Sequence, residues 1–404
     1  MNRSRSVVLA VVFSTFFVGF GGGVVFPILP NLQSVLGISP FLVGLILSAN
    51  RLTRIVANGP AGSLIDRIGT RTPFVVGLFV EGIATLGYVI ALNAPFPEVW
   101  FLISRILWGV GSAFVFATAY TIAADVSTGR SRGTSMGVIR GGMILGFPTG
   151  LVLGGVVSDA ASETTAFAVA AAFALFASAL GYWLVPETHV SAHRTAVKPW
   201  ELDTSLPTLL AGVVNFGVFF AYLGALFATL VLYVDVIDVT VWGYGPQGTS
   251  GMLMAVTVLA SAGCTVGGGR LSDQMGTRTP VLGAFLVVAF AGFLLMAFAT
   301  SLATLLAACV LVGAGQGGSN GPLMALLADL TPGERMGRAM GTNNVLGDLG
   351  GALGPMVSLP LIDVVGFAPI YLACALVPLV AGACLVGGVY WRTGEVSPGV
   401  SSGD

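Results

Sequence analysis

Hydrophobic positions in this 404-residue chain do not recur at the three-to-four-residue spacing of a soluble amphipathic helix. They come in long runs broken by short polar stretches. About 20 helical residues cross a hydrocarbon core of about 30 Å. Runs of that size fall at roughly 7–29, 41–64, 74–93, 98–123, 133–158, 165–185, 207–234, 248–270, 280–299, 301–328, 336–361 and 367–391. The pattern predicts an all-α membrane protein of twelve transmembrane helices. The first run follows Arg3 and Arg5 but is about 23 residues long with no small-residue cleavage site after it, so it is expected to be a retained span and not a signal peptide.

The polar stretches carry a repeat. Gly62-Ser63-Leu64-Ile65-Asp66-Arg67-Ile68-Gly69-Thr70-Arg71-Thr72-Pro73 returns as Gly269-Arg270-Leu271-Ser272-Asp273-Gln274-Met275-Gly276-Thr277-Arg278-Thr279-Pro280, with eight of twelve positions identical at an offset of 207 (273 minus 66). Each copy is expected to be a short polar turn between two spans. Asp125 to Gly129, Gly133 and Met136-Gly137 are answered by Asp329 to Gly333, Gly337 and Met340-Gly341 at an offset of 204, and Gly137, Gly146 and Gly150 recur as Gly341, Gly350 and Gly354. A period this long means two pseudo-symmetric halves, not a stack of small modules. The expected division is a six-helix half over 1–186, a linker over 187–206, a second six-helix half over 207–392 and a disordered tail over 393–404. Parallel halves of this kind place a central site at their interface, near mid-membrane.

Composition agrees with the membrane reading and adds sidedness. Charged residues make up 9% of the chain against roughly 25% in a soluble domain, and the mean hydropathy is +0.93. Of the seventeen Lys and Arg, thirteen (3, 5, 67, 71, 130, 132, 194, 198, 270, 278, 335, 338 and 392) fall on one side of the membrane if the amino terminus lies inside, and the other four lie within spans. Basic residues stay cytoplasmic, so both termini are expected in the cytoplasm. A net charge of −1 without a basic, aromatic-laced stripe gives no reason to expect nucleic acid. The four cysteines, at 264, 309, 374 and 384, are spaced neither as metal ligands nor for disulfides.

Enzymatic readings find little. Gly313-Ala314-Gly315-Gln316-Gly317-Gly318 fits a dinucleotide fingerprint but lies inside an apolar span, with no strand before it. No GxxxxGK[ST] loop is present, which argues against direct drive by ATP. His189 and His193, in the linker, have helical i, i+4 spacing but no further ligands nearby. No enzyme, cofactor or metal site is expected.

Several of these residues resemble a known family. Gly62-x-Leu64-x-Asp66-Arg67-x-Gly69-x-Arg71 resembles the signature loop of the major facilitator superfamily, and Arg105 to Gly111 its second motif. Gly137, Gly146, Gly150, Gly154 and Gly155 resemble the antiporter motif of its drug exporters, with Leu151 where that motif has proline and Pro148 three residues earlier. Pro27-Ile28-Leu29-Pro30 also resembles drug:proton antiporters. The resemblance implies that spans one, four, seven and ten line the cavity and that spans three, six, nine and twelve lie outside. It also implies a cytoplasmic gate made of Gly62, Asp66, Arg67, Gly69, Arg71 and Asp125, with Asp273, Arg278 and Asp329 in the second copy. In the family a basic residue pairs with the Asp that ends span four. Thr70 stands at a position often basic, which leaves Arg71 or Arg67 to pair with Asp125. Glycines at 146, 150, 154, 350 and 354 would also let helices approach closely whether or not the protein exchanges ions.

Charges inside the membrane must be paired or functional. There are six: Arg51, Arg54, Glu81, Arg105, Arg140 and Asp348. Asp348 forms a helical stripe with Asn344, Gly351 and Pro355 and is the first candidate for carrying a proton, if it is buried without a fixed basic partner. Glu81 is a second candidate, although neutralising Arg54 or Arg140 is the plainer role for it. Arg105, Arg140 and Arg51, with Tyr120, Asn215, Phe219, Tyr222, Gln316, Asn320 and Asn344, are candidate cavity residues. The excess of arginine over acid suits anions or neutral compounds. The expected function is secondary active transport of small organic compounds, most readily proton-coupled efflux from the cell across the plasma membrane by a monomer. Two alternatives stand beside it: symport or uniport of organic anions or other metabolites, and a ligand sensor or scaffold that moves nothing.

Overall fold

The computed structural model describes residues 3–32, 36–126, 132–188 and 202–396. Among them are twelve helices long and apolar enough to cross a membrane. They are α1 (Arg3–Ile28), α2 (Pro40–Ile68), α3 (Arg71–Ala91), α4 (Pro97–Val126), α5 (Arg132–Ala160), α6 (Glu163–Leu184), α7 (Leu206–Val236), α8 (Pro246–Met275), α9 (Thr279–Ala297), α10 (Leu302–Leu330), α11 (Met336–Val365) and α12 (Phe367–Thr393). Helices follow because hydrocarbon offers the backbone no partners and a helix satisfies its own. Most of the linker, with His189, His193 and Lys198, lies outside the described residues, as does the tail from 397 onward.

Short polar residues start the helices. Ser39 accepts the Leu42 N–H ahead of α2, Ser162 accepts that of Thr165 ahead of α6, and Ser301 and Thr304 form a reciprocal capping box on α10. Such caps contribute about 1 kcal/mol each. The repeated motif differs from the expected turn. Gly62 through Ile68 continue α2, Gly269 through Met275 continue α8, and the links to the next helix shrink to Gly69–Thr70 and Gly276–Arg278. Polar residues past the hydrocarbon can stay helical until a residue reverses the chain, and Gly69 (φ +90°) and Gly276 (φ +63°) do so.

The chain forms two compact units, one of residues 1–198 with 240–255, the other of 199–239 with 256–404. In the first, α1 and α5 touch backbone to backbone. A Cβ on Gly146 would overlap the Phe16 carbonyl oxygen, one on Gly150 that of Phe20, and one on Gly154 would lie 2.8 Å from the Val24 Cα. In the second unit α7 and α11 repeat this seam, with Gly350 on the Phe216 carbonyl and Gly354 on Gly224. Between Phe220 and Leu226 α7 widens into a π-helix, a rare geometry that is frequent at functional sites. The first core centres on Phe74, Leu78, Trp108, Val115 and Ile139, the second on Val214, Leu282, Leu323 and Leu385.

Candidate functional site

At the ends of α2 and α8 the two copies of the motif make different contacts. In the second copy, the Arg278 guanidinium contacts Asp273 and donates to Asp329 at 3.1 Å and to the Ser272 hydroxyl at 3.1 Å. The Asp273 hydrogen bond, against the opposing effect of burial and with help from Asp329, raises its proton affinity further, so it is permanently charged. In the first copy the equivalent Arg71 turns away. It donates to the Tyr182 carbonyl at 2.5 Å and lies over the Tyr182 ring. The Glu187 carboxylate takes over the loop instead, accepting the Thr70 N–H at 2.8 Å and its hydroxyl at 3.1 Å. Thr188 then reaches from Thr70 (2.8 Å) to Asp125 (3.3 Å). The expected ties of Arg71 or Arg67 to Asp125 are thus corrected: Arg67 is exposed, and a hydroxyl reaches Asp125. Thr70 has no charge to offer, so an acid from the start of the linker caps α3 in its place. The Asp66 side chain lies outside the described residues.

Two further carboxylates cap helices. Asp159, at the last turn of α5, accepts the Gly248 N–H at 2.7 Å in the first turn of α8. Its charge meets the positive end of that helix. A Cβ on Gly248 would lie 2.7 Å from the same oxygen, so the glycine is what lets the carboxylate approach. Asp203, before α7, opposes its own burial with a hydrogen bond from the Ser205 N–H (2.9 Å) and with the charge of Arg335, and its carboxyl is held below the usual range. Its own N–H donates to Thr342 on α11 at 2.9 Å.

The membrane charges are placed less evenly than the sequence suggested. Arg105 is 1% exposed, and its guanidinium donates to the carbonyls of Ile46 (3.2 Å) and Leu47 (2.9 Å) and to Asn50 (2.7 Å) on α2, beside the Trp108 ring. It ties α4 to α2 and presents no surface to a ligand here. Arg51 and Arg54 are half-buried, and Arg54 lies 5.5 Å from the Phe116 ring centre. The side chains of Arg140 and Tyr120 lie outside the described residues. Asp348 is only half-buried and has a partner, so the bare, buried carboxyl expected there is absent. Such a carboxyl exists at Glu81, which is 1% exposed with neither oxygen hydrogen-bonded. The expected ion pair with Arg54 is not made among the described residues: Arg54 acts on Glu81 only through its field, and the alternative partner, Arg140, has its side chain outside them.

Two of the proposed cavity residues, Tyr222 and Gln316, come together with Ser261 in the second unit. Tyr222, in the π segment of α7, lies within hydrogen-bonding reach of Ser261 on α8, and Ser261 donates to Gln316 on α10. Helices α8 and α10 meet at this point through glycine contacts, such as Gly317 on the Ser261 carbonyl. Sequence reading missed Ser261, which nothing but its place opposite Gln316 marks out. Asn215 instead ties α7 to α11 through the Asn343 carbonyl at 2.9 Å. Phe219 and Asn320 are half-buried, and Asn344 is exposed. A cavity of about 190 Å³ between α9 and α12, lined by Thr279, Leu282, Leu286 and Leu379, touches none of these residues.

A twelve-helix chain with a repeated half, glycine seams at equivalent places and polar residues at mid-span has the build of a carrier. The sequence matches the model of the Major Facilitator Superfamily over residues 11–355, with a second match over 243–403. The chain belongs to the Major Facilitator Superfamily. This superfamily member is 26% identical over 389 residues to an uncharacterized MFS-type transporter of Methanocaldococcus jannaschii, covering 95% of this chain and 98% of that one. It is 28% identical over 392 residues to the multi-drug resistance efflux pump PmrA of Streptococcus pneumoniae, covering 94% and 95%. Its fold matches a crystal structure of a bacterial homologue of the human lysosomal transporter Spinster, with a TM-score of 0.80 at 15% identity over 96% of this chain and 97% of that one. It is therefore a multi-pass membrane transporter.

Proposed function

We propose that this superfamily member is a proton-coupled exporter of small, greasy organic compounds, working by alternating access in the plasma membrane with both termini in the cytoplasm. The observation that carries this reading is full-length similarity to a relative named as a multi-drug efflux pump, joined to the α1–α5 glycine seam where the exporters' antiporter motif falls. Sidedness follows from the basic residues, thirteen of which gather on one side. Tyr222, Ser261 and Gln316, with Phe227 against the Tyr222 ring and the Phe216–Phe220 stack on the same helix, combine a few neutral polar groups with aromatic surface. That mixture suits compounds of varied shape. The anion reading loses its central residue, because the Arg105 guanidinium is engaged by α2.

Purified protein in proteoliposomes with a pH-sensitive dye inside, given cationic, neutral and anionic compounds outside, tests the reading. Substrate-dependent proton movement with a cationic or neutral class is expected. Counterflow without proton movement would replace antiport by uniport or another coupling ion, and binding without counterflow would make the protein a sensor.

A further inference from the structure

Glu81 stands apart from the other described acids. It sits in the middle of α3, 1% exposed, and among the described residues neither carboxyl oxygen has a hydrogen-bond partner. Its stem lies against α4 where that helix has no side chain: a Cβ on Gly111 would stand 2.8 Å from the Glu81 Cγ, and one on Gly77 would stand 2.8 Å from the Gly111 carbonyl oxygen. A larger residue at 111 would leave no room for it. Nothing in the family resemblance points here, since an α3 position is on the outer ring of helices, away from the cavity.

The helices packed on α3 bring little countercharge to this carboxyl. From α2 comes Arg54, whose guanidinium rests over Phe116, and from α4 comes Arg105, whose Nε and Nη2 donate to the carbonyls of Ile46 and Leu47 and to Asn50 while its buried Nη1 has no hydrogen-bond partner among the described residues. On α3 itself Thr85 donates back to the Glu81 carbonyl, and the next titratable group is the buried hydroxyl of Tyr88. Helices α1 and α6 carry charge only near their first residues, at Arg3 and Arg5 and at Glu163, and the Ser178 hydroxyl of α6 donates to the Val75 carbonyl. An ionised carboxylate stripped of both water and partners is far costlier than the neutral acid.

We infer that Glu81 is a proton-binding site, loaded in the conformation described here and emptied during the transport cycle. On emptying, the carboxyl O–H gives its proton to water, and the carboxylate left behind is balanced by the field of Arg54, whose guanidinium is half-buried. The loading step stands on the burial of Glu81, and the emptying step rests on the proton-coupled reading above.

Infrared spectroscopy on purified protein in lipid nanodiscs reads the proton directly. Wild type at neutral pH is expected to show the carbonyl stretch of a neutral carboxylic acid, Glu81→Gln to lose it and Asp348→Asn to keep it. Glu81→Gln has the shape of the neutral acid, so its melting temperature should equal or exceed that of wild type. A band that survives in Glu81→Gln, or a clear drop in melting temperature there, would mean an ionised, paired Glu81 and would overturn the proposal. In proteoliposomes Glu81→Gln should lose pH-gradient-driven transport and keep counterflow, and full gradient-driven transport in that variant would also overturn it. Absence of gradient-driven transport in wild type, with the infrared band present, would instead refute antiport and reduce Glu81 to a static neutral acid.

Discussion

At the scale of the residue, partner choice decides what each charge does. Asp329 and Arg278, 51 residues apart at the end of α10 and in the link after α8, pair in the second copy. Their counterparts Asp125 and Arg71 do not, because the Tyr182 carbonyl and ring and the Thr188 hydroxyl claim them instead. Asp203 yields a pH prediction. Its folded pKa is lowered, so its contribution to stability is complete above the ordinary carboxylate range, near about 4, and is lost as pH falls through the folded value. In thermal melts in detergent, wild type should lose stability on acidification below that range, and Asp203→Asn should lose less. Equal acid sensitivity of the two proteins would remove Asp203 as a contributor.

At the scale of the element, the helices were legible and their contacts were not. Long apolar runs placed all twelve, and boundaries moved by only a few residues. The π segment of α7 left no mark in the sequence: Phe220 to Leu226 reads as ordinary apolar helix. Glycine meaning was also hidden, since the chain has 57 and only the structure separates seam from surface. A Cβ added to Gly62 would meet nothing within 4 Å, whereas Gly146 and Gly350 face a neighbouring backbone carbonyl. Alanine at 146 or 350 is expected to destabilise the fold by about 1–3 kcal/mol or more, the usual cost of overpacking. Alanine at 62 should be neutral or better, since it lowers the entropy of the unfolded chain. Melting temperatures of the three variants check this, and a tolerated Gly146→Ala would show that the seam can open.

At the scale of the whole molecule, α8 is the element shared between the compact units. Its first ten residues, from Pro246 to Ala255, belong to the first unit and the rest to the second. Asp159 holds its first turn through Gly248, and Gly155 and Gly251 bring α5 and α8 together, on the Gln247 and Leu151 carbonyls. Replacing Asp159 with Leu removes both the hydrogen bond and the charge facing the helix end. Hydrogen–deuterium exchange should then rise at the amides of residues 247–250 and stay unchanged at the first turns of α6 and α10. Unchanged exchange at 247–250 would show that the glycine contacts alone hold the turn.

The sequence by itself determined the number of spans, the two-half repeat and the family, because each depends on hydrophobicity and spacing along the chain and hydrocarbon leaves a backbone one choice, the helix. Only the tertiary structure decided which acid is bare. Asp348 and Glu81 are both carboxyls in the middle of apolar helices, and no local pattern distinguishes them. Desolvation depends on what neighbouring helices bring alongside, and that places Glu81 against the bare backbone of Gly111 and gives Asp348 a partner and partial exposure.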